Sequence, residues 1–353
     1  MSNPSFLYLS IKDQILFAKR LAILIKAGTP ILTSLQLLNK QNRSRSIRNI
    51  LKEVIADVEN GSFLSVSLKK FRKIFGDFAV NIIEIGEVSG TLPENLNYLA
   101  EELKKKQALR RKVVGALIYP GIIILATLGI TLLLTVYVFP RILPIFESVS
   151  FDLPWTTKAL IFVSDTVNNH GIKILIGLAA ASVVFWLSLR VEKVRLWWDR
   201  FLIAIPVLGT LLQCYHMANL CRTLGLLLKS EILIVRAATI TANTSTNMAY
   251  RRELHRLSEG LTRGGKISTH FEKSRRLFPD ILTQMVSVGE ATGNLSQTLL
   301  FLSDMYEGEV DEQTKNLSTV LEPILMVFMG IIVGFVAISI ITPIYEITQH
   351  LNP

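Results

Sequence analysis

Gly86-Glu87-Val88-Ser89-Gly90-Thr91-Leu92 returns as Gly289-Glu290-Ala291-Thr292-Gly293-Asn294-Leu295, an offset of 289 − 86 = 203 positions. The same offset carries Leu21 onto Leu224, Lys26 onto Lys229, Gly61 onto Gly264, Arg72 onto Arg275 and Phe75 onto Phe278. It also carries Pro120 onto Pro323 and Pro140 onto Pro343. One gap-free offset holding from Leu21 to Pro140 marks a duplicated unit. Each copy starts polar and helical and ends in a long apolar run, so the unit is a soluble domain followed by a membrane helix.

Within each copy the pattern is all-α. Phe17, Leu21, Leu24 and Ile25 recur at helical spacing, as do Leu220, Leu224, Leu227 and Leu228. Turns are marked by Gly28-Thr29-Pro30, Asn60-Gly61 and Arg263-Gly264-Gly265. Runs of alternating β-branched residues are few, so no strands are predicted. Thr91-Leu92-Pro93-Glu94 has the form of a capping box, and Asn294-Leu295-Ser296-Gln297 is its looser equivalent. The motif residues Gly86, Glu87, Gly90, Gly289, Glu290 and Gly293 thus open a helix that runs toward the membrane. Two roles stay open for Glu87 and Glu290: holding that turn, or meeting a partner or an ion.

The chain is 50% hydrophobic and 19% charged, too apolar for an ordinary soluble protein of 353 residues. Val113 to Phe139 carries no charge over 27 residues, which makes about 40 Å of helix against a bilayer core of about 30 Å. Val320 to Tyr345 matches it except for Glu322, and Ile172 to Leu189 is a shorter third span. Phe201 to Leu212 is too short to cross, is interrupted by Pro206, and is expected as a buried or interfacial helix. No signal peptide is evident at the start of the sequence.

Charge sets the direction. Residues 1–112 hold 19 Lys and Arg against 10 Asp and Glu, and residues 190–319 hold 16 against 13, whereas 140–171 has only Arg141 and Lys158 as cations. By the positive-inside rule both large domains face the cytoplasm. The expected layout is a first cytoplasmic helical domain, 1–112; a span, 113–139; a periplasmic segment, 140–171; a second span, 172–189; a second cytoplasmic helical domain, 190–319; a third span, 320–345; and a short periplasmic tail, 346–353. The unpaired middle span returns the chain to the inner side, so the copies form a parallel repeat rather than the inverted repeat of many transporters. The net charge of +10 is accounted for by this topology, and no nucleic-acid motif accompanies it.

In the spans, Gly330 and Gly334 form a GxxxG, with Thr127 and Thr131 at the corresponding positions of copy one. Small residues four apart favour close helix packing within the chain or between protomers. Pro120, Glu322 and Pro323 lie at the membrane edge; a carboxylate there is a functional candidate, though near enough to the interface to reach water.

Chemistry is hard to place. Gly260 to Lys266 has P-loop spacing, but Ile267 stands where the Mg²⁺-holding hydroxyl belongs, and a charged helical run precedes it instead of a strand. The five histidines show no ligand spacing, Cys214 and Cys221 share a helix face as packed thiols, and Glu307, Glu309, Asp311 and Glu312 read as a solvated face. No catalytic residue, cofactor or metal ligand is assigned, and the chain is not expected to be an enzyme. A small-solute transporter is the rival reading; it predicts ionisable or broken helices near the midplane, which these nearly charge-free spans lack.

Taken in order, Arg20-x₃-Leu24-x₂-Ala27-Gly28, Gly86-Glu87-x₂-Gly90-x-Leu92, Tyr119-Pro120, Pro140, Ile205-Pro206-x₂-Gly209, Gly289-Glu290-x₂-Gly293-x-Leu295, Glu322-Pro323 and Pro343 resemble the inner-membrane platform proteins of type II secretion systems and type IV pilus machines. Glu231 departs from the pattern where the family usually has glycine, which puts the turn of the second domain in question. The resemblance implies a non-enzymatic, oligomeric scaffold in the lipid bilayer. Its implied partners are a hexameric cytoplasmic assembly ATPase, pilin or pseudopilin subunits and other inner-membrane assembly proteins. Arg43, Arg45 and Arg48 are candidate contacts for an acidic partner surface.

Overall fold

Four helices of one copy begin at the positions their counterparts in the other copy dictate. The computed structural model describes residues 9–42, 44–147, 154–206 and 208–350. Residues 1–8, Arg43, the 148–153 part of the expected periplasmic segment and 351–353 of the expected tail lie outside the described residues. Copy one comprises α1 (Ile11–Lys26), α2 (Ile31–Gln41), α3 (Arg45–Glu59), α4 (Leu64–Lys69), α5 (Arg72–Ser89) and α6 (Leu92–Leu133). A π-helical turn, Leu134–Val138, joins α6 to α7 (Phe139–Glu147). Then come α8 (Trp155–Ser188) and α9 (Glu192–Ala204), followed by copy two: α10 (Leu208–Lys229), α11 (Ile234–Thr244), α12 (Met248–Thr262), α13 (Ile267–Lys273), α14 (Asp280–Thr292) and α15 (Leu295–His350). The first residues of α2, α3, α4 and α6 plus 203 give those of α11, α12, α13 and α15, and the ends of α1 and α5 plus 203 give those of α10 and α14. Among the described residues there is no strand.

The helices follow from local chemistry. Ser10 caps α1 by accepting the Asp13 amide at 3.2 Å. Asn247 caps α12 by accepting the Ala249 amide at 2.9 Å. On α3, Ile47, Ile50, Leu51, Val54 and Ile55 make one buried stripe, leaving Arg45 and Arg48 exposed. The chain divides into two compact units, 1–113 with 198–312, and 114–197 with 313–353. In the first unit the same core is built twice: Leu21 and Leu224, Leu51 and Leu254, Leu64 and Ile267, Ile83 and Val286, and Leu99 and Leu302 are all buried.

The second unit holds the apolar helices. Among the described residues three helical stretches are long and apolar enough to cross a membrane: Leu92–Ile142, Trp155–Ser188 and Leu295–Pro343. Two extents differ from the sequence expectation. The middle helix begins at Trp155, not at 172, because the hydropathy signal sees only its lipid-like half and misses the earlier turns that carry Thr157, Leu160 and Ser164 inside. The third continues to His350, so the helix includes the first residues of the expected tail. Pro206 does interrupt the Phe201–Leu212 stretch: α9 ends at Ala204, and α10 leaves it at 111°.

Candidate functional site

Each residue of the repeated Gly-Glu-x-x-Gly element has a distinct task. Glu87 Oε1 accepts the Leu64 amide at 2.5 Å and Oε2 accepts the Ser65 amide at 2.8 Å. Glu290 repeats this on the Ile267 amide at 2.6 Å and the Ser268 amide at 3.1 Å. Both carboxylates therefore sit on the N-termini of α4 and α13, where free N–H groups and the helix dipole favour a negative charge. These helices need an outside cap, since neither Phe63 nor Lys266 caps with its own side chain. Gly86 and Gly289 let the next helix approach: a Cβ would lie 2.9 Å from Leu92 Cα in one copy and 2.9 Å from Thr298 Oγ1 in the other. Gly90 (φ +72°) and Gly293 (φ +71°) end α5 and α14 in the left-handed conformation.

The predicted capping box does not form as expected. Thr91 Oγ1 accepts from the Asn95 side-chain amide at 2.8 Å and is hydrogen-bonded to Ser89 Oγ at 2.6 Å. In copy two the Asn294 side chain donates to Gln297 Oε1 at 3.0 Å. The short polar residues bond to each other across the turn and leave the Glu94 role unfilled. The true partners of Glu87 and Glu290 were legible only as a spacing: Leu64-Ser65 and Ile267-Ser268 stand at the same repeat offset.

A second cluster, missed by the sequence reading, joins the two copies. Arg222 on α10 is 8% exposed. Its Nε donates to Ser303 Oγ at 3.0 Å, and its terminal nitrogens reach Asp304 at 3.0 Å, Glu307 at 2.8 Å and Glu102 of copy one at 3.4 Å. A buried guanidinium demands this degree of compensation. Burial raises the Glu307 carboxyl above its ordinary range, opposed by Arg222. The pseudo-equivalent pair is Lys19 and Glu101 at 3.9 Å, since 19 + 203 = 222 and 101 + 203 = 304; that pairing was the available signal. Arg236 adds a further bridge, to Asn81 at 2.6 Å and Glu84 at 2.8 Å. Glu307 and Asp311 were expected on a solvated face. Glu307 instead closes on Arg222, whereas Asp311 stays on the exposed surface, paired with Lys112 of copy one at 2.6 Å.

In the apolar unit the repeated prolines create two matching acceptors. Pro343 has no N–H, so the Ser339 carbonyl four residues earlier loses its helical donor. Thr157 Oγ1 supplies a donor at 2.8 Å. At Pro140 the register is π, the Phe139 amide bonding back to Leu134 O; the carbonyl left over is Thr135, and Ser164 Oγ donates to it at 2.9 Å. Thr157 and Ser164 are seven residues apart on one face of α8, so a single helix satisfies both prolines' vacated carbonyls. Helical backbone in an apolar setting needs such replacement.

The other membrane positions are less engaged. Pro120 and Thr127 are buried, Thr127 bonding back to Ile123 O at 2.9 Å, and Thr131 is half-buried. Glu322 and Pro323 are exposed. The intramolecular packing expected at the GxxxG is not formed: a Cβ on Gly330 or Gly334 would meet nothing within 4 Å. The middle helix docks by its hydroxyls at Thr135 and Ser339 instead.

Among the described residues no group of three or more His, Cys, Asp or Glu could hold a metal ion. Cys214 and Cys221 are free and buried. The P-loop-like glycines close α12, with Gly264 N–H bonding Leu261 O at 3.0 Å and Gly265 N–H bonding Gly260 O at 3.0 Å. Glu231 keeps the turn that Gly28 makes in copy one, at φ +61° beside +83° for Gly28.

Comparison with known proteins follows this duplicated geometry. The family described as type II secretion system (T2SS), protein F, matches residues 17–140 and again 220–343, two segments separated by the repeat offset at both ends. The type IV pilus assembly protein PilC of Thermus thermophilus is 33% identical over 342 residues, 97% of this chain and 84% of the relative. PilC of Myxococcus xanthus is 31% identical over 349 residues, covering 99% and 84%. The type II secretion system protein F of Pseudomonas aeruginosa is 30% identical over 341 residues, covering 97% and 84%.

Proposed function

The chain belongs to the type II secretion system protein F family, and from that premise we propose that it is the inner-membrane platform of a type IV pilus or type II secretion machine. In this reading both helical domains face the cytoplasm and receive a hexameric assembly ATPase. The spans meet pilin or pseudopilin subunits and further copies of the chain, and no chemistry is performed by the platform itself. The observation that carries the reading is the covalent one: α6 and α15 each start on a Gly-Glu turn and run unbroken into an apolar span. A load taken up by the domains therefore has a helix to travel along in each repeat.

The test is co-expression of the full chain with the assembly ATPase of its own system, followed by purification in detergent. Wild-type protein is expected to co-purify with the ATPase, and the double variant Glu87→Ala, Glu290→Ala is expected to insert normally yet lower pilus or pseudopilus assembly at least several-fold. Reporter fusions that place either domain outside the cytoplasm would refute the proposal, whereas full assembly by cells carrying the double variant would demote Glu87 and Glu290 to turn-formers.

A further inference from the structure

We propose that the cavity at the junction of the two helical domains is a binding site for a phosphate-class oxyanion, held by Lys106 with Thr223 and Asn219. The cavity is about 240 Å³ and is bordered by Lys73, Gly76 and Glu102 from copy one and by Asn219, Arg222 and Thr223 from copy two. A smaller recess of about 30 Å³ opens beside it against Tyr215 and His216. The two share Lys106, Asn219, Thr223 and Thr244 as a common wall.

The charges around this wall do not balance. Arg222 is engaged by Glu102, Asp304 and Glu307, and Glu102 is further approached by Lys105 at 3.7 Å. Lys106 has no carboxylate within ion-pair distance among the described residues, and burial together with the like charge of Arg110 lowers its pKa. A partly buried ammonium without a counter-ion is costly, and an anion in the cavity would remove that cost. Neutral donors complete the set. The Thr223 hydroxyl makes no hydrogen bond to protein among the described residues. The Asn219 side chain gives an N–H to Tyr215 O at 2.7 Å and lines both the cavity and the recess. Lys73, exposed at the rim, adds a second cation along the entrance.

The volume lies below the about 300–1,000 Å³ of ligand sites for larger molecules and suits inorganic phosphate, pyrophosphate or the phosphate of a small ester. Copy two has no counterpart, since 106 + 203 = 309 is a glutamate. The site is therefore single, and it lies where the two repeats meet, so occupancy would tie them together. Oxyanion binding here is independent of the platform role.

The experiment is titration of the purified full chain in detergent with sodium phosphate and with pyrophosphate at constant ionic strength, chloride being the reference. Wild-type protein is expected to show a saturable rise in Tm with either oxyanion, Lys106→Gln a loss of affinity of at least tenfold, and Lys106→Arg a partial recovery. Lys73→Gln should weaken binding less than Lys106→Gln. Circular dichroism of each variant establishes that it is folded, and Thr223→Val, an uncharged probe of the same wall, should weaken binding several-fold. No saturable response of the wild type, an equal response to chloride, or wild-type affinity in Lys106→Gln would each overturn the assignment.

Discussion

Glu231 shows how much a fold will tolerate to keep a turn. Its N–H bonds Leu228 O at 3.0 Å and the Ile232 N–H bonds Leu227 O at 3.1 Å, the same pair of bonds that Gly28 and Thr29 make in copy one. A β-carbon in the left-handed region costs about 1–2 kcal/mol, partly offset because glycine loses more freedom on folding. Glu231→Gly should therefore stabilise the protein by about 0.5–1 kcal/mol, read as a higher denaturation midpoint; a lower midpoint would show that the glutamate side chain contributes more than its strain removes. His216 is a second residue with a measurable signature. Burial pushes its imidazole down to about 4, against about 6.5 in an unfolded chain. The unfolded state thus binds the extra proton first, so stability is complete above the unfolded value and is lost as pH falls toward the folded one. The loss should be roughly 3 kcal/mol across that window, and His216→Phe should flatten it in chemical unfolding at stepped pH.

At the scale of elements, α8 is the part whose purpose the structure clarifies. The proposed parallel layout needs an unpaired span between the two copies, but that need says nothing of how the span is held. Its Thr157 and Ser164 hydroxyls take over carbonyls vacated because of Pro343 and Pro140. Hydrogen bonds between membrane helices average under 1 kcal/mol and reach about 2 kcal/mol. Thr157→Val should accordingly cost about 1 kcal/mol in the wild type. In a Pro343→Ala background, where the substituted residue regains an N–H for Ser339 O, the same change should cost close to nothing. Unfolding in mixed micelles of the four proteins gives the coupling directly, and equal costs in both backgrounds would mean that the proline and the threonine act independently.

For the whole molecule, the question is what makes two copies of one domain into a single unit. Arg222 bridges them, and its loss would leave Glu102, 8% exposed, with only the exposed Lys105 at 3.7 Å. Arg222→Leu should destabilise the protein by about 3–5 kcal/mol. Arg222→Leu combined with Glu102→Leu should cost less than Arg222→Leu alone, because the most buried of the three carboxylates is then removed together with its guanidinium. If the double variant is the worse of the two in denaturant titrations, the cluster is held by its other members. The sequence by itself determined the all-α class, the duplicated unit, the three apolar helices and the positions of the turns. These are local or periodic properties: helical spacing, glycine placement and hydropathy need no partner to be visible, and an internal offset multiplies each signal by two. Only the tertiary structure decided what Glu87 and Glu290 hold, where Arg222 finds its carboxylates, and why Thr157 and Ser164 stand where they do. Each of those depends on a donor or acceptor 22 to 182 residues away, and a hydrogen bond or ion pair formed over such a distance leaves no period in the chain that makes it.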